Sequence, residues 1–244
     1  MKLHILGCGD AFGSGGRNHS GYLVESGASL FLLDCGPTTL LSMKRAGFDP
    51  ARLDAVFLSH LHGDHCGGLP FFFIDYLHEH PRARPLHVAG PPGTEERVRG
   101  LFRWMFGERM EPREPPPTEF HPLEPGREET IACVRLLPFR VPHQARDVSL
   151  GLKVACGEKT ILFSGDSAWT DAFILHARGA DLFLCECCFF DRDAPDHMSY
   201  RKLAANLPRL ECKNILLTHL GEEMLKRRGE VDLPLAEDGM VVEI

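Results

Sequence analysis

The chain has 244 residues, of which 43% are hydrophobic and 25% charged, and its formal net charge at pH 7 is −7. These proportions exclude a disordered chain, a collagen-like repeat and a small disulfide scaffold. The acidic balance is the wrong sign for a broad polyanion-binding surface, although a local basic groove is compatible with it. No apolar run approaches the roughly 20 residues of a membrane span, and the N-terminus lacks the pattern of a secretion signal. We therefore expect a cytoplasmic protein without membrane contact.

Short runs of branched and aromatic residues, each followed by a turn or helix signal, predict buried strands along the whole chain. They are Lys2–Leu6, Ser29–Leu33, Leu53–Leu58, Leu86–Val88, Ile131–Val141, Ser149–Ala155, Thr160–Phe163, Asp181–Cys185 and Asn214–Thr218. Capping residues predict helices between Pro37 and Gly47, between Thr170 and Gly179, after Ser199, and from Gly221 to Arg228. Strands that alternate with helices indicate an α/β layered fold.

Helix- and strand-breaking residues are densest between Glu111 and Gly126, a segment that reads as a domain linker or a long surface loop. Candidate functional residues lie on both sides of this segment. We therefore favour a loop within a single domain of residues 1–244.

The nine cysteines are an odd number and are scattered along the chain, which does not predict a disulfide framework. The sequence Cys185-Glu186-Cys187-Cys188 looks like a metal knuckle. However, it ends an apolar run and has no second cysteine pair at zinc-finger spacing, so we expect ordinary buried thiols.

The strongest chemical signal is the segment Ser59–Gly68, which reads Ser-His-Leu-His-Gly-Asp-His-Cys-Gly-Gly. Its candidate metal ligands are His60, His62, Asp64 and His65. Neutral imidazoles and carboxylates are good ligands for zinc and similar metals. His60 and His62 are two residues apart in extended chain and therefore point the same way. We expect Gly63 to turn the backbone and re-aim the ligands that follow it, and the two final glycines to allow close backbone approach.

Three further ligand-type residues each follow a predicted strand: His143, Asp166 and His219. A single histidine after a strand is usually an ordinary loop residue. Here, however, four separate strand ends carry such residues, and ligand sites of α/β sheets gather at the carboxyl ends of strands. We expect these residues to converge on one cleft.

These ordered motifs resemble those of the metallo-β-lactamase superfamily, and most closely its tRNase Z (ribonuclease Z) branch. The other shared marks are Asp34-Cys35-Gly36, Ser164-Gly165-Asp166, Cys185-Glu186 and His197-Met198-Ser199. The resemblance extends from Leu6 to His219. It implies an α/β fold of the four-layer αββα type, in which two mixed sheets carry the metals along one edge.

The resemblance also assigns roles to residues at matching positions. It places His60, His62 and His143 on one metal ion, places Asp64, His65 and His219 on a second, and makes Asp166 the bridging ligand. The implied cofactors are two divalent ions, with zinc expected and manganese or iron as alternatives, and the implied nucleophile is a metal-bridging hydroxide. Asp64, Glu186 and His197 are the implied catalytic residues. Glu186 would orient the imidazole of His197, which protonates the departing alkoxide.

The sequence departs from the tRNase Z pattern in one place. That branch inserts a tRNA-gripping arm between the third histidine motif and the bridging aspartate, whereas here only the 22 residues from Gln144 to Gly165 separate His143 from Asp166. We therefore expect a dinuclear phosphodiesterase that acts on RNA or on a small or cyclic nucleotide, and we expect tRNA to be a poor substrate. A homodimer is compatible with the sequence.

Three alternatives remain open at this point. A lactone or thioester hydrolase would use the same metal chemistry on an acyl carbon. A mononuclear-iron dioxygenase would need only part of the ligand set, and the complete second set of ligands counts against it. A non-catalytic metal-binding protein would have no use for Glu186 and His197.

The glycine-rich segment Gly7–Arg17 follows a strand, but it lacks the spacing of a nucleotide-binding loop. By resemblance it lies near the metal cleft, where Arg17, Asn18 and Ser20 either contact an anionic substrate or form a surface turn. The aromatic clusters Phe71–Phe73 and Trp104–Phe106 read mainly as core residues, with a cleft or a subunit interface as the alternative.

Overall fold

The computed structural model describes residues 1–107 and 117–244. The strands in these ranges are Lys2–Gly7 (β1), Gly21–Ser26 (β2), Ser29–Cys35 (β3), Ala55–Phe57 (β4), Leu86–Gly90 (β5), Thr118–Pro122 (β6), Glu129–Ile131 (β7), Val134–Arg140 (β8), Leu150–Cys156 (β9), Lys159–Phe163 (β10), Leu182–Glu186 (β11), Ile215–Thr218 (β12) and Val241–Glu243 (β13). The α-helices are Thr39–Arg45 (α1), Gly63–Cys66 (α2), Leu69–His78 (α3), Thr94–Phe106 (α4), Ala172–Ala177 (α5), Tyr200–Asn206 (α6) and Glu222–Lys226 (α7).

The strands form two mixed sheets. The first has the order β13-β1-β2-β3-β4-β5-β6, with β3 to β6 parallel and the remaining pairs antiparallel. The second has the order β12-β11-β10-β9-β8-β7, in which β10, β11 and β12 are parallel. Because β8 and β10 are both antiparallel to β9, they run in the same direction.

Strand β3 shows why the central strands are apolar along their whole length. Phe31 and Leu33 point into the core between the two sheets, while Leu30 and Leu32 point to the opposite face, where helices cover the sheet. A strand that is buried on both faces needs apolar side chains at successive positions, since alternate residues face opposite sides. The continuous apolar runs of the sequence are a consequence of this double burial.

Helices cover the outer face of each sheet. Met43 of α1, Phe72 of α3 and Phe102 of α4 pack on the first sheet, and Phe173 of α5 and Leu203 of α6 pack on the second. The result is helix, sheet, sheet, helix, which confirms the four-layer αββα expectation.

Several element boundaries differ from the prediction. The predicted strand Ile131–Val141 is two strands, β7 and β8, because Ala132 and Cys133 adopt positive φ and form the turn between them. Strand β2 was not predicted. Of the predicted loop Glu111–Gly126, residues 118–122 form the edge strand β6, and residues 111–116 lie outside the described ranges.

The nine cysteines are all free thiols, as expected. Cys185, Cys187 and Cys188 are buried, and burial raises the pKa of each thiol, so these side chains are protonated at neutral pH. None of the helices in the described part of the chain has the length and apolar character needed to cross a bilayer.

The two predicted aromatic clusters differ in burial. Phe72 and Phe73 are core residues, as expected. Trp104 of α4 is 90% exposed and is not part of the core.

Candidate metal centre

Five strands end at one edge of the sandwich, and each is followed by a candidate site residue. The pairs are β4 with His60, β8 with His143, β10 with Asp166, β11 with Glu186 at its last position, and β12 with His219. A backbone hydrogen bond from Leu150 N to Ser59 O joins the two sheets at this edge. The strand directions therefore bring together residues that are as far as 159 positions apart, since 219 − 60 = 159.

His60, His62 and His143 form the first group, which we call the three-histidine cluster. His62 Nδ1 lies 3.1 Å from His60 Nε2 and 3.2 Å from His143 Nε2. With zinc–nitrogen bonds of about 2.0–2.1 Å, two ligand atoms of a tetrahedral site are about 3.3 Å apart. The three ring nitrogens thus have the spacing of one face of a zinc coordination sphere.

Asp64, His65, Asp166 and His219 form the second group, which we call the carboxylate cluster. His65 Nε2 lies 3.1 Å from Asp64 Oδ2, 3.2 Å from Asp166 Oδ2 and 3.4 Å from His219 Nε2. His219 Nε2 lies 3.4 Å from Asp64 Oδ2 and 3.3 Å from Asp166 Oδ2. These atoms also have the mutual spacing of ligands around one cation.

A single oxygen connects the two clusters. Asp166 Oδ2, which belongs to the carboxylate cluster, is also 3.8 Å from His60 Nε2 and 3.9 Å from His143 Nε2. Asp166 is buried, and its carboxylate is therefore fixed between the two sets of imidazoles.

Hydrogen bonds on the far side of the imidazoles fix their tautomers. Asp34 Oδ2 accepts hydrogen bonds from His65 Nδ1 at 2.7 Å and from Ser59 Oγ at 2.8 Å. Because the Ser59 hydroxyl donates to Asp34, it accepts from His60 Nδ1 at 3.0 Å. His60 and His65 therefore both carry their proton on Nδ1, and the Nε2 lone pairs point into the centre.

The remaining three histidines differ in what their outer ring nitrogens contact. His143 Nδ1 donates to the carbonyl of Asp196 at 2.7 Å, which leaves Nε2 free. The side-chain amide of Gln144 contacts His62 Nε2. The Gln144 amide nitrogen faces this atom, and a flip of the amide, which would bring its unpartnered oxygen there, would let His62 keep its proton on Nε2 and present Nδ1 to the cluster. His219 Nδ1 is buried without a hydrogen-bond partner in the described part of the chain.

The glycines that shape the backbone around the ligands are not all those that the sequence suggested. Gly63 does not adopt positive φ, and a side chain there would meet no atom within 4 Å. The chain does turn here, from extended backbone at His62 to the helix α2 that begins at Gly63, but nothing at this position requires glycine. The two glycines after α2 do permit close approach, because a Cβ at Gly68 would lie 2.2 Å from Gly36 O. Gly165 has φ +57, and a Cβ there would lie 2.7 Å from Leu150 O.

Two non-glycine residues of the centre, one a candidate ligand and one the partner of a ligand, adopt left-handed backbone conformations. Asp34 and His219 both have φ of 54°. Aspartate and histidine tolerate this region better than most residues, but the conformation still costs free energy. Each side chain is thereby aimed from the end of its strand into the centre.

Burial and charge shift the pKa values of the clustered groups strongly. Burial lowers the pKa of His60 well below its ordinary value, and the charge of His65 lowers it further. Burial also acts to lower the pKa of His65, but the carboxylates of Asp166 and Asp34 outweigh it and raise this pKa. Burial acts to raise the pKa of Asp166, but His219 and His65 outweigh it and hold this pKa well below its ordinary value. Asp166 is therefore ionised and attracts positive charge.

The structure also brings Glu186 and His197 together. Glu186 Oε1 accepts from His197 Nδ1 at 3.0 Å and from the Ser167 backbone N–H, and Glu186 Oε2 accepts from Cys188 N at 3.3 Å. The His197 ring stacks on His219 with a centroid distance of 5.5 Å. Burial acts to lower the pKa of His197, but the hydrogen bond and charge of Glu186 outweigh it and raise this pKa to about 9.

A cavity of about 660 Å³ opens onto this centre, within the usual range of small-molecule sites. Phe12, Phe189 and Arg192 line it beside His197. Phe12 is 89% exposed at the tip of a loop that is held by Asp10, whose carboxylate accepts hydrogen bonds from the backbone N–H groups of residues 12 and 14. Arg192 lies over the ring of Phe189, 4.4 Å from its centroid.

Sequence reasoning missed the partners that orient the ligands. Asp34 was noted only as a family mark, and Ser59 and Gln144 were given no role. Conversely, Asn18 and Ser20 do not line the cavity; the Asn18 amide donates to Leu6 O and Ser42 Oγ. Each of these outcomes depends on contacts between distant segments, which no local pattern signals.

The residues present fit two divalent cations by their chemistry. Seven side chains direct lone pairs or negative charge toward one another. Two of the facing ring nitrogens are only 3.1 Å apart. When the outer nitrogen of each ring carries the proton, the facing nitrogens cannot form a hydrogen bond and their lone pairs repel each other. Positive charge between them removes this repulsion. Imidazole and carboxylate are also the ligand types that zinc prefers.

Comparison with known proteins agrees with this geometry. The family model of the anti-Pycsar protein Apyc1 matches residues 1–236. A ribonuclease Z of Methanothermobacter thermautotrophicus is 38% identical over 312 aligned positions, which cover 100% of this chain and 97% of that protein.

Crystal structures show the same fold. The metallo-β-lactamase fold protein YhfI from Bacillus subtilis has a TM-score of 0.80 at 24% identity, with 99% of each chain covered. The short form of human tRNase Z has a TM-score of 0.78 at 23% identity, with 100% of this chain and 99% of that chain covered.

The relatives and the fold together identify this protein as a metal-dependent hydrolase of the metallo-β-lactamase superfamily, similar to tRNase Z. The expectations on superfamily, fold and enzyme class are thereby confirmed. The family match is more specific and spans nearly the whole length: the chain belongs to the family of the anti-Pycsar protein Apyc1.

Proposed function

We propose that the protein is a dinuclear metal-dependent phosphodiesterase whose substrate is a small nucleotide, and a cyclic nucleotide in particular. The observation that carries the proposal is the position of Asp166 Oδ2, within 3.9 Å of ring nitrogens from both clusters. A shared carboxylate oxygen is the arrangement that a two-metal hydrolase requires. Two divalent cations held there would supply Lewis-acid chemistry, by activating water and by neutralising charge on phosphate oxygens. Zinc is the expected ion.

The remaining residues would orient the reaction. The Nδ1 of His197 is anchored on Glu186, so Nε2 is the nitrogen available to the cavity. In this position His197 donates a proton to the leaving oxygen, and Glu186 holds the ring in place and stabilises its positive charge. Asp34 fixes His65 in the tautomer that serves as a ligand.

The cavity supports a small substrate rather than a folded RNA. Among the described residues that line it, Arg192 is the one Lys or Arg side chain, whereas Asp10, Asp196, Glu222 and Glu223 are acidic. Tight binding of a long polyanion needs many cationic phosphate contacts. The exposed ring of Phe12 offers a stacking surface for one base. The residues between His143 and Asp166 form β9, β10 and their connections, which leaves no room for a tRNA-holding arm between these two motifs.

A substrate panel tests this proposal. The zinc-loaded protein should hydrolyse bis-p-nitrophenyl phosphate and cyclic mononucleotides, and it should process pre-tRNA, lactones and thioesters poorly. Asp166→Ala protein from the same purification is the control for contaminating enzymes. Efficient 3′ cleavage of pre-tRNA with submicromolar affinity, or lactone or thioester turnover above that of the diesters, would overturn the proposal.

A second variant tests the substrate class. Phe12→Ala should raise KM for a cyclic nucleotide by about tenfold, the equivalent of losing about 1.4 kcal/mol of base stacking. The KM for bis-p-nitrophenyl phosphate, which carries no base, should change much less. Equal changes for both substrates would show that Phe12 does not recognise a base.

A further inference from the structure

A second group of metal-ligating side chains lies on strands β5 and β6, away from the cavity described above. His87 of β5 is paired in register with Glu119 of β6, and His121 follows two residues after Glu119 on the same strand. Because alternate residues of a strand face the same side, all three side chains project from one face of the sheet. None of them lines the cavity of the candidate metal centre.

The ligand atoms of this group converge closely. His87 Nδ1 lies 3.1 Å from His121 Nε2 and 3.3 Å from Glu119 Oε2. The Nδ1–H of His87 can donate to only one of these two acceptors with good geometry. The other acceptor receives no hydrogen bond from His87, so hydrogen bonding satisfies the group only in part. The separations match the roughly 3.3 Å between ligands of a tetrahedral zinc site. Two imidazoles and one carboxylate are also a ligand set that zinc uses.

We infer that His87, Glu119 and His121 form a second, separate binding site for a zinc-type transition-metal cation, which links the edge strand β6 to β5. The group is accessible, because the side chain of Glu119 is 54% exposed and that of His87 is 26% exposed. Three protein ligands leave a fourth position for water.

The location gives this site a structural consequence. Strand β6 is the last strand of its sheet and is hydrogen-bonded within the sheet to β5 alone. A cation shared by side chains of both strands closes a link between chain segments about 32 residues apart, from residue 87 to residue 119. Such a link stabilises the folded chain by mass action, because the unfolded chain has no preformed site.

Metal counting on matched variants tests the inference. The wild-type protein, Glu119→Gln and His121→Asn are dialysed against the same buffered free Zn²⁺, and the bound zinc is counted by mass spectrometry. His78→Ala, which removes an exposed histidine of α3 outside any ligand group in the described residues, is the control. His121→Asn should bind one zinc fewer per chain than wild type, and the control should match wild type. Glu119→Gln should bind the same zinc at least tenfold more weakly, since even ligand-supporting residues are worth 10–100-fold.

Two further readouts keep the result unambiguous. Hydrolysis of bis-p-nitrophenyl phosphate should be unchanged in both variants, which shows that the zinc lost did not come from the catalytic centre. Added Zn²⁺ should raise the Tm of wild type more than that of His121→Asn. Equal zinc content in wild type and His121→Asn would overturn the inference, as would an equal loss of zinc in His78→Ala.

Discussion

The two ligand clusters of the catalytic centre differ in how they are supported. In the carboxylate cluster, His65 is buried and its outer nitrogen is held by the buried charge of Asp34 at 2.7 Å. In the three-histidine cluster, His62 is exposed and its outer nitrogen contacts the neutral amide of Gln144. A buried, charged partner holds a ligand more rigidly than a partly exposed, neutral one. We therefore expect a tightly bound metal in the carboxylate cluster and a more exchangeable metal in the three-histidine cluster.

The largest effect should come from the one residue that both clusters share. Asp166→Ala removes a ligand from each cluster and leaves the positive charges uncompensated. Turnover should fall by more than the roughly 10–100-fold that a ligand-supporting residue contributes, and the zinc content should fall by at least one per chain relative to wild type. Metal analysis and bis-p-nitrophenyl phosphate kinetics measure both quantities. Zinc content equal to that of wild type and turnover within tenfold of wild type would contradict the bridging role.

His197 lies against both clusters but belongs to neither. His197→Ala should keep both metals, and it should lower the turnover of a nucleoside diester by about 10²–10⁴-fold, the usual value of general acid catalysis. The loss should be smaller for an aryl diester, because p-nitrophenolate leaves without a proton. Glu186→Gln should give the same pattern more mildly. Equal losses on both diesters, or loss of metal, would show that His197 has a structural role.

The contrast between the two supports can be tested directly. Asp34→Asn keeps a residue that tolerates the left-handed backbone, but it removes the charge that holds His65. Zinc affinity of the carboxylate cluster should fall by about 10–100-fold. Gln144→Ala is the matched change in the other cluster and should weaken zinc binding by about tenfold or less. If Gln144→Ala had the larger effect in a competition titration with a chromogenic chelator, the comparison would have to be reversed.

The smallest effect concerns the rates at which zinc leaves the unaltered catalytic centre. On addition of dipicolinate, the zinc of the three-histidine cluster, whose His62 is exposed, should leave faster than the zinc of the carboxylate cluster. In His121→Asn protein, which lacks the separate site on β5 and β6, the release should therefore follow two exponential phases in an absorbance assay. Release of both ions in one phase would indicate that burial of the carboxylate cluster does not slow exchange.

The sequence predicted the strands that carry ligands well, because double burial forces continuous apolar runs such as Ser29–Leu33. It missed the edge strand β6 and the interior strand β2. Strand β6, with its partly exposed residues and its position after a proline-rich segment, has no apolar run to reveal it. Pairing with β5 makes it a strand, and such pairing depends on residues that are distant in sequence.

The candidate site shows a similar division. The ligand-type residues stand out by type and position, whereas Asp34 looked like any acidic residue at the end of a strand. Its contact with His65 joins positions 31 residues apart. The turn predicted at Gly63 is the start of α2, which residues other than glycine could also form.

The left-handed backbone at Asp34 and His219 implies a trade-off between stability and activity. Non-glycine residues in this region cost about 1–2 kcal/mol each, a sizeable part of the 5–15 kcal/mol that stabilises a typical domain. Relief of this strain by glycine at either position would remove the ligand His219 or the partner that orients His65. Directed evolution of this protein toward heat resistance should therefore yield inactive clones unless activity is screened in the same rounds.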